Sequence, residues 1–221
     1  MKIKNYIFVF DLDDTLYSEC EYQNSGINAV EEMISNLFNV SFKNKIKNAY
    51  KNGVKDLWAW TCKELDLPLS VKETLLWTYR LHDPKIQLQS DVNFLLDFLR
   101  KEKANVAIIT DGRSISQRIK LKKLGLSYLP IYISEDYLSI KPNLLRFKKI
   151  EEKWPNKKYI YIGDNPKKDF KAPNELGWIT IGAKWINPRI YSSDSKKNGY
   201  QPNIWIDKPT ELIDYISKNL F

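Results

Sequence analysis

Residues 6–17 read YIFVFDLDDTLY, a short apolar run that ends in three carboxylates and a threonine. The first five residues are aromatic or β-branched and lack helical spacing, so they predict a strand buried on both faces. Because side chains alternate along a strand, Asp11 and Asp13 should project to the same side and share one small volume. Such a pair requires a cation between the carboxylates or a proton on one of them.

Two interpretations fit these carboxylates. In the first, Mg²⁺ takes oxygen ligands and is shared with a substrate phosphate, while one carboxylate attacks phosphorus and the other moves a proton. In the second, they form a solvated acidic turn without chemistry. A calcium loop of the EF-hand type does not fit. With Asp11 as position one, Leu16 stands where glycine is needed and Tyr22 where glutamate is needed.

Length and composition favour one core domain with an insert. The chain has 221 residues, of which 43% are hydrophobic. The mean hydropathy is −0.46, and no run approaches the roughly 20 apolar residues of a membrane span. The apolar run at the N-terminus is too short for a signal peptide, so we expect the mature chain to begin at Met1. Cys20 and Cys62 lack the spacing of a disulfide framework or zinc site, which favours a cytoplasmic location.

The basic charge of the chain has two readings. The formal net charge is +8, which could indicate a nucleic-acid partner, but the lysines and arginines are scattered among acidic residues. A solvated basic surface explains this pattern better. Such a surface also attracts anionic metabolites.

Residues 17–87 have the pattern of a helical insert, with no strand-like run and few turn residues. The predicted helices cover 22–38, 42–51, 54–65 and 71–82.

From residue 88 onward strands and helices alternate. The predicted strands cover 106–109, 131–133, 159–162, 178–181 and 204–206, and the predicted helices cover 90–103, 114–124 and 143–153, with Ser90 as a cap and a polar loop at 187–202. We therefore expect an α/β fold: a Rossmann-like core of residues 1–16 and 88–221, with helices on both faces of a parallel sheet, and a small all-helical cap domain at 17–87.

Polar residues follow three of the predicted strands. Ligands of open parallel sheets bind beyond the carboxyl ends of the strands, so these residues should converge. Asp164 and Asp169 can then reach the region above Asp11. The Thr110 hydroxyl and the backbone at Gly112 suit phosphate binding. Lys141 can supply positive charge.

Four motifs carry a family resemblance: DLDDT at 11–15, IITDG at 108–112, IKP at 140–142 and GDNPKKD at 163–169. In order and spacing they resemble the four motifs of the haloacid dehalogenase-like hydrolase superfamily, over almost the whole chain. The insert after the first motif resembles the helical cap of the subgroup that carries its cap there. Phe147, six residues after Lys141, fits that subgroup.

The resemblance implies a role for each motif residue. Asp11 would be the nucleophile that forms an aspartyl-phosphate, and Asp13 the general acid and then base. Lys141 would neutralise Asp11 and the phosphate. The implied phosphate-binding residues are Thr110, Asp111, Gly112 and Lys141, and the implied Mg²⁺ ligands are Asp11, the Asp13 backbone carbonyl and Asp164, with Asp169 in support.

Asp13 indicates which of the reactions known in the resembled family is expected here. Members that cleave carbon–halogen bonds lack this second acid, since a halide needs no proton, whereas an alkoxide leaving phosphate does. The resemblance therefore implies a phosphatase that acts on a small phosphorylated metabolite, either a sugar phosphate or a nucleotide monophosphate. A phosphomutase on the same scaffold and a catalytically silent basic binding protein are the alternatives. The oligomeric state stays open.

Four further residues stand out. Asp111 occupies a position that is often neutral in the family, so its charge must turn away from the phosphate or meet Arg113. Arg113 is also a candidate substrate contact. Trp60 lies off the apolar stripe of its predicted helix, either packed within the cap or over the substrate. His82, the single histidine, is expected to be structural.

Overall fold

The computed structural model describes residues 3–187 and 199–219. Its centre is a six-stranded parallel sheet with strand order β3-β2-β1-β4-β5-β6. The strands are β1 (Tyr6–Phe10), β2 (Asn105–Thr110), β3 (Ile131–Ile133), β4 (Lys158–Gly163), β5 (Ile179–Ala183) and β6 (Ile204–Ile206). The predicted parallel α/β fold is confirmed.

Four helices fill the insert after β1: α1 (Glu19–Phe38), α2 (Lys45–Lys51), α3 (Leu57–Glu64) and α4 (Val71–Leu81). The remaining helices alternate with the strands or close the chain: α5 (Ser90–Lys101), α6 (Ser114–Lys123), α7 (Leu145–Lys153), α8 (Lys171–Glu175) and α9 (Pro209–Asn219). Within the described residues, no helix combines the length and the apolar character needed to cross a membrane.

Strand β1 lies at the middle of the sheet and is buried on both faces. Phe8 and Phe10 belong to the apolar cluster that also contains residues of α5 and α9. Ile7 and Val9 belong to the cluster on the opposite face, with residues of α7. Successive side chains of β1 therefore pack into opposite clusters, so that both faces of the strand are buried, as the apolar run predicts.

The register of the sheet brings the polar strand ends together. Phe10, the last residue of β1, pairs with Ile108 of β2 and with Ile162 of β4. The Asp11 amide then donates to the Ile162 carbonyl at 2.8 Å. The residues after β1, β2 and β4 consequently emerge side by side at one edge of the sheet.

The insert has an apolar cluster of its own, formed by Ile27, Val30, Ile34, Phe42, Ile46, Cys62 and Leu75. Buried Glu31 joins its helices, because its carboxylate accepts from the amides of Asn44 at 2.9 Å and Ile46 at 2.7 Å. This separate cluster supports the division that we propose, a core of residues 1–16 and 88–221 and a cap of residues 17–87.

The helix ends differ from the sequence predictions for local reasons. Helix α1 begins earlier than predicted because Asp14 accepts from the Glu19 amide at 2.9 Å. Helix α3 begins later because Asp56 caps it. Ser90 is wrong as a cap: it is the first residue of α5, and its hydroxyl contacts Asp91.

Helix α9 was not predicted, and no bounds were predicted for α8. Most of the polar loop predicted at 187–202 lies outside the described residues.

Candidate active site

Lys141 and Asp11 form the centre of the site. The Lys141 ammonium lies 2.8 Å from Asp11 Oδ1 and 2.6 Å from Asp169 Oδ1, and it donates to the Tyr161 hydroxyl at 3.1 Å. The side chain of Lys141 is completely buried. Asp11 follows β1, whereas Lys141 lies between β3 and α7. Burial and three oxygen partners fix this ammonium beside Asp11, which is compatible with the role predicted for Lys141; that role stays a prediction.

Three carboxylates meet beside this lysine. Oxygens of Asp11, Asp164 and Asp169 lie within 4.8 Å of one another, and all three residues are buried. Burial, followed by the charges of Asp169 and Asp11, raises the pKa of Asp164 to about 9. Burial also raises the pKa of Asp11 to about 6, against the opposing charge of Lys141. Repulsion of this kind is relieved by a cation between the carboxylates.

The donor set fits Mg²⁺. Its atoms are carboxylate oxygens, the ligands that this ion prefers. Asp11 Oδ2 is buried and has no hydrogen-bond partner within the described part of the chain. Asp11 and Asp164 are therefore the side chains available to hold the ion.

Asp169 is already occupied by protein donors. Its Oδ1 accepts from Lys141 and from the Tyr161 hydroxyl at 3.1 Å, and its Oδ2 accepts from the Asn165 amide at 2.8 Å. A Cβ on Gly163 would lie 2.8 Å from Asp169 Oδ2, so only glycine permits this close approach. The predicted supporting role of Asp169 is compatible with these contacts and stays a prediction.

Asp13 is bound by three side chains. Its Oδ1 accepts from Lys120 at 2.7 Å and from the Tyr17 hydroxyl, and its Oδ2 accepts from Gln117 at 2.8 Å. Burial acts to raise the pKa of Asp13, but the charge and hydrogen bond of Lys120 hold it below its ordinary value. Asp13 is thus ionised and fully engaged in this arrangement.

Sequence reasoning missed Gln117 and Lys120 as site residues. Both lie on α6, three residues apart and therefore on one face, and both are buried. Their burial is seen only in the structure, and their spacing by itself does not separate them from the other polar residues of α6.

Thr110 and Gly112 lie beside Asp13, linked to it through Gln117. The Gln117 amide donates to Thr110 Oγ1 at 2.6 Å, and a Cβ on Gly112 would lie 3.1 Å from the Gln117 side chain. Gly112 has a φ of +149°, which favours glycine. Its amide donates to Ser134 Oγ at 2.9 Å. The phosphate-binding roles of Thr110 and Gly112 stay predictions.

Asp111 does not pair with Arg113. Its carboxylate binds the buried Arg146 and accepts from the Lys141 amide at 3.2 Å. Arg113 instead pairs with Glu135 at 2.6 Å on the surface. Of the two alternatives left open for Asp111, the pairing with Arg113 is therefore wrong, because Arg146 of α7 lies against the end of β2 and takes the carboxylate. Asp111 positions the backbone of Lys141, while its contact with phosphate and that of Arg113 with substrate stay predictions.

Trp60 and His82 lie in the insert. Trp60 is half-buried against the insert cluster, with its ring centroid 6.4 Å from that of Phe42. This contact supports packing, and its role over a substrate stays a prediction. His82 is buried, and its Nδ1 lies 2.6 Å from the Tyr79 carbonyl, which supports the structural role expected for it.

Comparison with known proteins gives two sequence matches. The family model described as haloacid dehalogenase-like hydrolase matches residues 8–183. The glyceraldehyde 3-phosphate phosphatase of Methanocaldococcus jannaschii is 31% identical over 198 residues, which cover 78% of this chain and 82% of that protein.

Solved structures show the same fold. YfnB of Bacillus subtilis, solved with bound magnesium, has a TM-score of 0.68 at 19% identity, over 96% of this chain and 98% of YfnB. The 2-haloacid dehalogenase of Pseudomonas syringae has a TM-score of 0.66 at 16% identity, over 99% of each chain. At such low identity the likeness concerns the fold alone.

Proposed function

The chain belongs to the haloacid dehalogenase-like hydrolase family, and we propose that it is a Mg²⁺-dependent phosphatase of small phosphorylated metabolites that works through an aspartyl-phosphate. The observation that carries the proposal is the position of Lys141, 2.8 Å from Asp11 Oδ1, while Asp11 Oδ2 has no hydrogen-bond partner in the described residues. One oxygen of the nucleophile is thus fixed and the other is available. The phosphatase of Methanocaldococcus jannaschii, 31% identical, supports the same class of reaction.

Asp11 is suited to attack phosphorus. With a pKa raised by burial to about 6, it is mostly ionised at neutral pH and is desolvated. As one carboxylate oxygen of Asp11 forms its bond to phosphorus, the bond from phosphorus to the ester oxygen breaks. Lys141 reduces the repulsion between the Asp11 carboxylate and the phosphate dianion.

Asp13 would handle the protons. In the first step it gives a proton to the leaving alkoxide, and in the second it takes one from the water that attacks the aspartyl-phosphate, which frees inorganic phosphate and Asp11. The ionised Asp13 of this structure is in the state required of the base. To act as acid, it has to carry a proton and give up its ion pair with Lys120.

The residues that would hold Mg²⁺ are Asp11, the Asp13 backbone carbonyl and Asp164, with Asp169 in support. When bound, the ion supplies charge that offsets the phosphoryl oxygens. The spacing of the carboxylates within 4.8 Å and the raised pKa of Asp164 support this assignment.

The substrate that we propose is a sugar phosphate or a nucleotide monophosphate. The net charge of +8 favours an anionic substrate. The relative named for glyceraldehyde 3-phosphate makes a triose phosphate a useful member of any panel. The two free cysteines, Cys20 and Cys62, support a reducing compartment, and we place the enzyme in the cytoplasm.

The test is a phosphate-release assay over sugar phosphates, triose phosphates and nucleotide monophosphates, with Mg²⁺ and with excess EDTA. We expect Mg²⁺-dependent release that EDTA abolishes. Undiminished release in EDTA would contradict the metal assignment. A rearranged product that retains its phosphate would identify a mutase, and no turnover of any phosphate ester would leave the binding protein as the better interpretation.

A further inference from the structure

Lys168 is a second lysine directed at the carboxylate cluster. It lies in the segment between β4 and α8, one residue before Asp169. Its ammonium is 4.0 Å from Asp11 Oδ2, the oxygen that has no hydrogen-bond partner in the described residues, whereas Lys141 binds Asp11 Oδ1. The two lysines therefore approach opposite oxygens of the same carboxylate.

The two lysines differ in their freedom to move. The Lys141 side chain is completely buried and bonded to Asp11, Asp169 and Tyr161. The Lys168 side chain is 34% exposed, and 4.0 Å is long for a hydrogen bond. Because the side chain is partly exposed and its four-carbon stem is flexible, Lys168 can move its ammonium towards solvent, which the buried Lys141 cannot do.

The charge of Lys168 acts on the whole cluster. Burial acts to raise the pKa of Asp169, but Lys141 and then Lys168 lower it. Burial and the charges of Asp169 and Asp11 raise the pKa of Asp164. Lys168 opposes this rise more strongly than Lys141 does. Lys168 thus adds its charge to that of Lys141, with the larger effect of the two at Asp164, and it faces Asp11 Oδ2 at 4.0 Å.

We propose that Lys168 is the internal counter-ion of the metal site: its ammonium balances the carboxylates of the metal-free protein and gives way when Mg²⁺ binds to them. The inference rests on the proposed function, because it takes Asp11 and Asp164 as the metal ligands. An ion bound to Asp11 Oδ2 would lie close to the ammonium, and the two like charges repel. The free energy needed to move the Lys168 ammonium away then lowers the affinity for Mg²⁺.

A neutral residue at position 168 should therefore bind Mg²⁺ more tightly. The experiment is calorimetric titration of the metal-free full chain with Mg²⁺, for the wild type, Lys168→Met, Lys168→Gln and Lys168→Arg. We expect the dissociation constant to fall about tenfold in both neutral variants and to stay near the wild-type value in Lys168→Arg, which keeps the charge. The matched control is Lys167→Met, since Lys167 is exposed and adjacent, and its dissociation constant should change less than about twofold.

Thermal unfolding of the same proteins gives a second measurement. Without metal, the neutral variants should unfold at a lower temperature than the wild type, and Mg²⁺ should raise their unfolding temperature by more. An unchanged or weaker Mg²⁺ affinity in both neutral variants would overturn the counter-ion role and leave the proposed function intact. A wild type that binds no Mg²⁺ would overturn both.

Discussion

Lys120 and Asp13 are 107 residues apart in the sequence and form an ion pair of 2.7 Å that joins α6 to the turn after β1. The Lys120 ammonium also lies 4.3 Å from the centre of the Tyr22 ring on α1. Lys120 therefore contacts both the proposed acid–base residue and the first helix of the insert. The ion pair with Lys120 holds Asp13 in its ionised form.

The Lys120–Asp13 pair should contribute measurably to stability. In a double-mutant cycle with Lys120→Met and Asp13→Asn, we expect a coupling free energy of about 1 to 3 kcal/mol, because both side chains are largely buried. The measurement is chemical denaturation of the wild type, both single variants and the double variant. Exposed Lys122→Met is the matched control on α6, and additive effects of the paired variants would contradict the coupling.

Asp11→Asn should abolish turnover. The amide keeps the shape of the side chain but removes the attacking charge, so kcat should fall by on the order of a thousandfold or more. Steady-state phosphate release measures this, and Asp91→Asn, an exposed position, is the control. Comparable losses in both variants would argue against Asp11 as the nucleophile.

Asp13→Asn should affect substrates unequally. The nucleophile survives, so p-nitrophenyl phosphate, whose leaving group needs little protonation, should still phosphorylate Asp11. Alkyl phosphates should lose activity by about a hundredfold or more, the range of general acid catalysis. Rapid-quench trapping of the phosphoenzyme with both substrates is the measurement. Equal loss on both, with no trapped phosphoenzyme, would refute this division of roles.

Arg146→Met should destabilise the fold because it leaves Asp111 without its cationic partner. Arg146 also donates to the carbonyls of Thr110 at 2.8 Å and Tyr132 at 3.2 Å. We expect a loss of about 3 kcal/mol in the free energy of unfolding. Adding Asp111→Asn should restore part of it, whereas Lys148→Met, on the exposed face of α7, should cost little. No recovery in the double variant would show that the carbonyl contacts dominate.

His82 should make stability depend on pH. Burial lowers its pKa, although the Tyr79 carbonyl opposes this. Below about pH 6.5 the unfolded chain takes up a proton at this ring before the folded protein does, so the free energy of unfolding decreases as the pH falls, by at most about 1.4 kcal/mol per pH unit. Denaturation of the wild type and His82→Asn between pH 5.5 and 7.5 measures the difference. Parallel pH profiles would contradict the prediction.

The sequence predicted the sheet well because its signals are local. The runs before Asp11, Asp111 and Asp164 are apolar and short, and each is followed directly by polar residues of the candidate site. Parallel strands place such ends at one edge, so the meeting of Asp11 with Asp164 followed from pattern alone. Helix ends were less accurate, since they depend on caps such as Asp56.

By itself, the sequence determined the α/β class, the helical insert, the family and the convergence of the motif residues. These follow from apolar patterns, turn residues and motif spacing, which are local features of the sequence. Only the tertiary structure decided that Lys120 and Gln117 bind Asp13, that Arg146 rather than Arg113 neutralises Asp111, and that Lys168 faces Asp11. These contacts depend on the register of neighbouring strands and on the rotation of α6 and α7. A change of one residue in the strand register, or a rotation of either helix about its axis, would bring a different side chain to the site. No local sequence pattern determines which side chain that is.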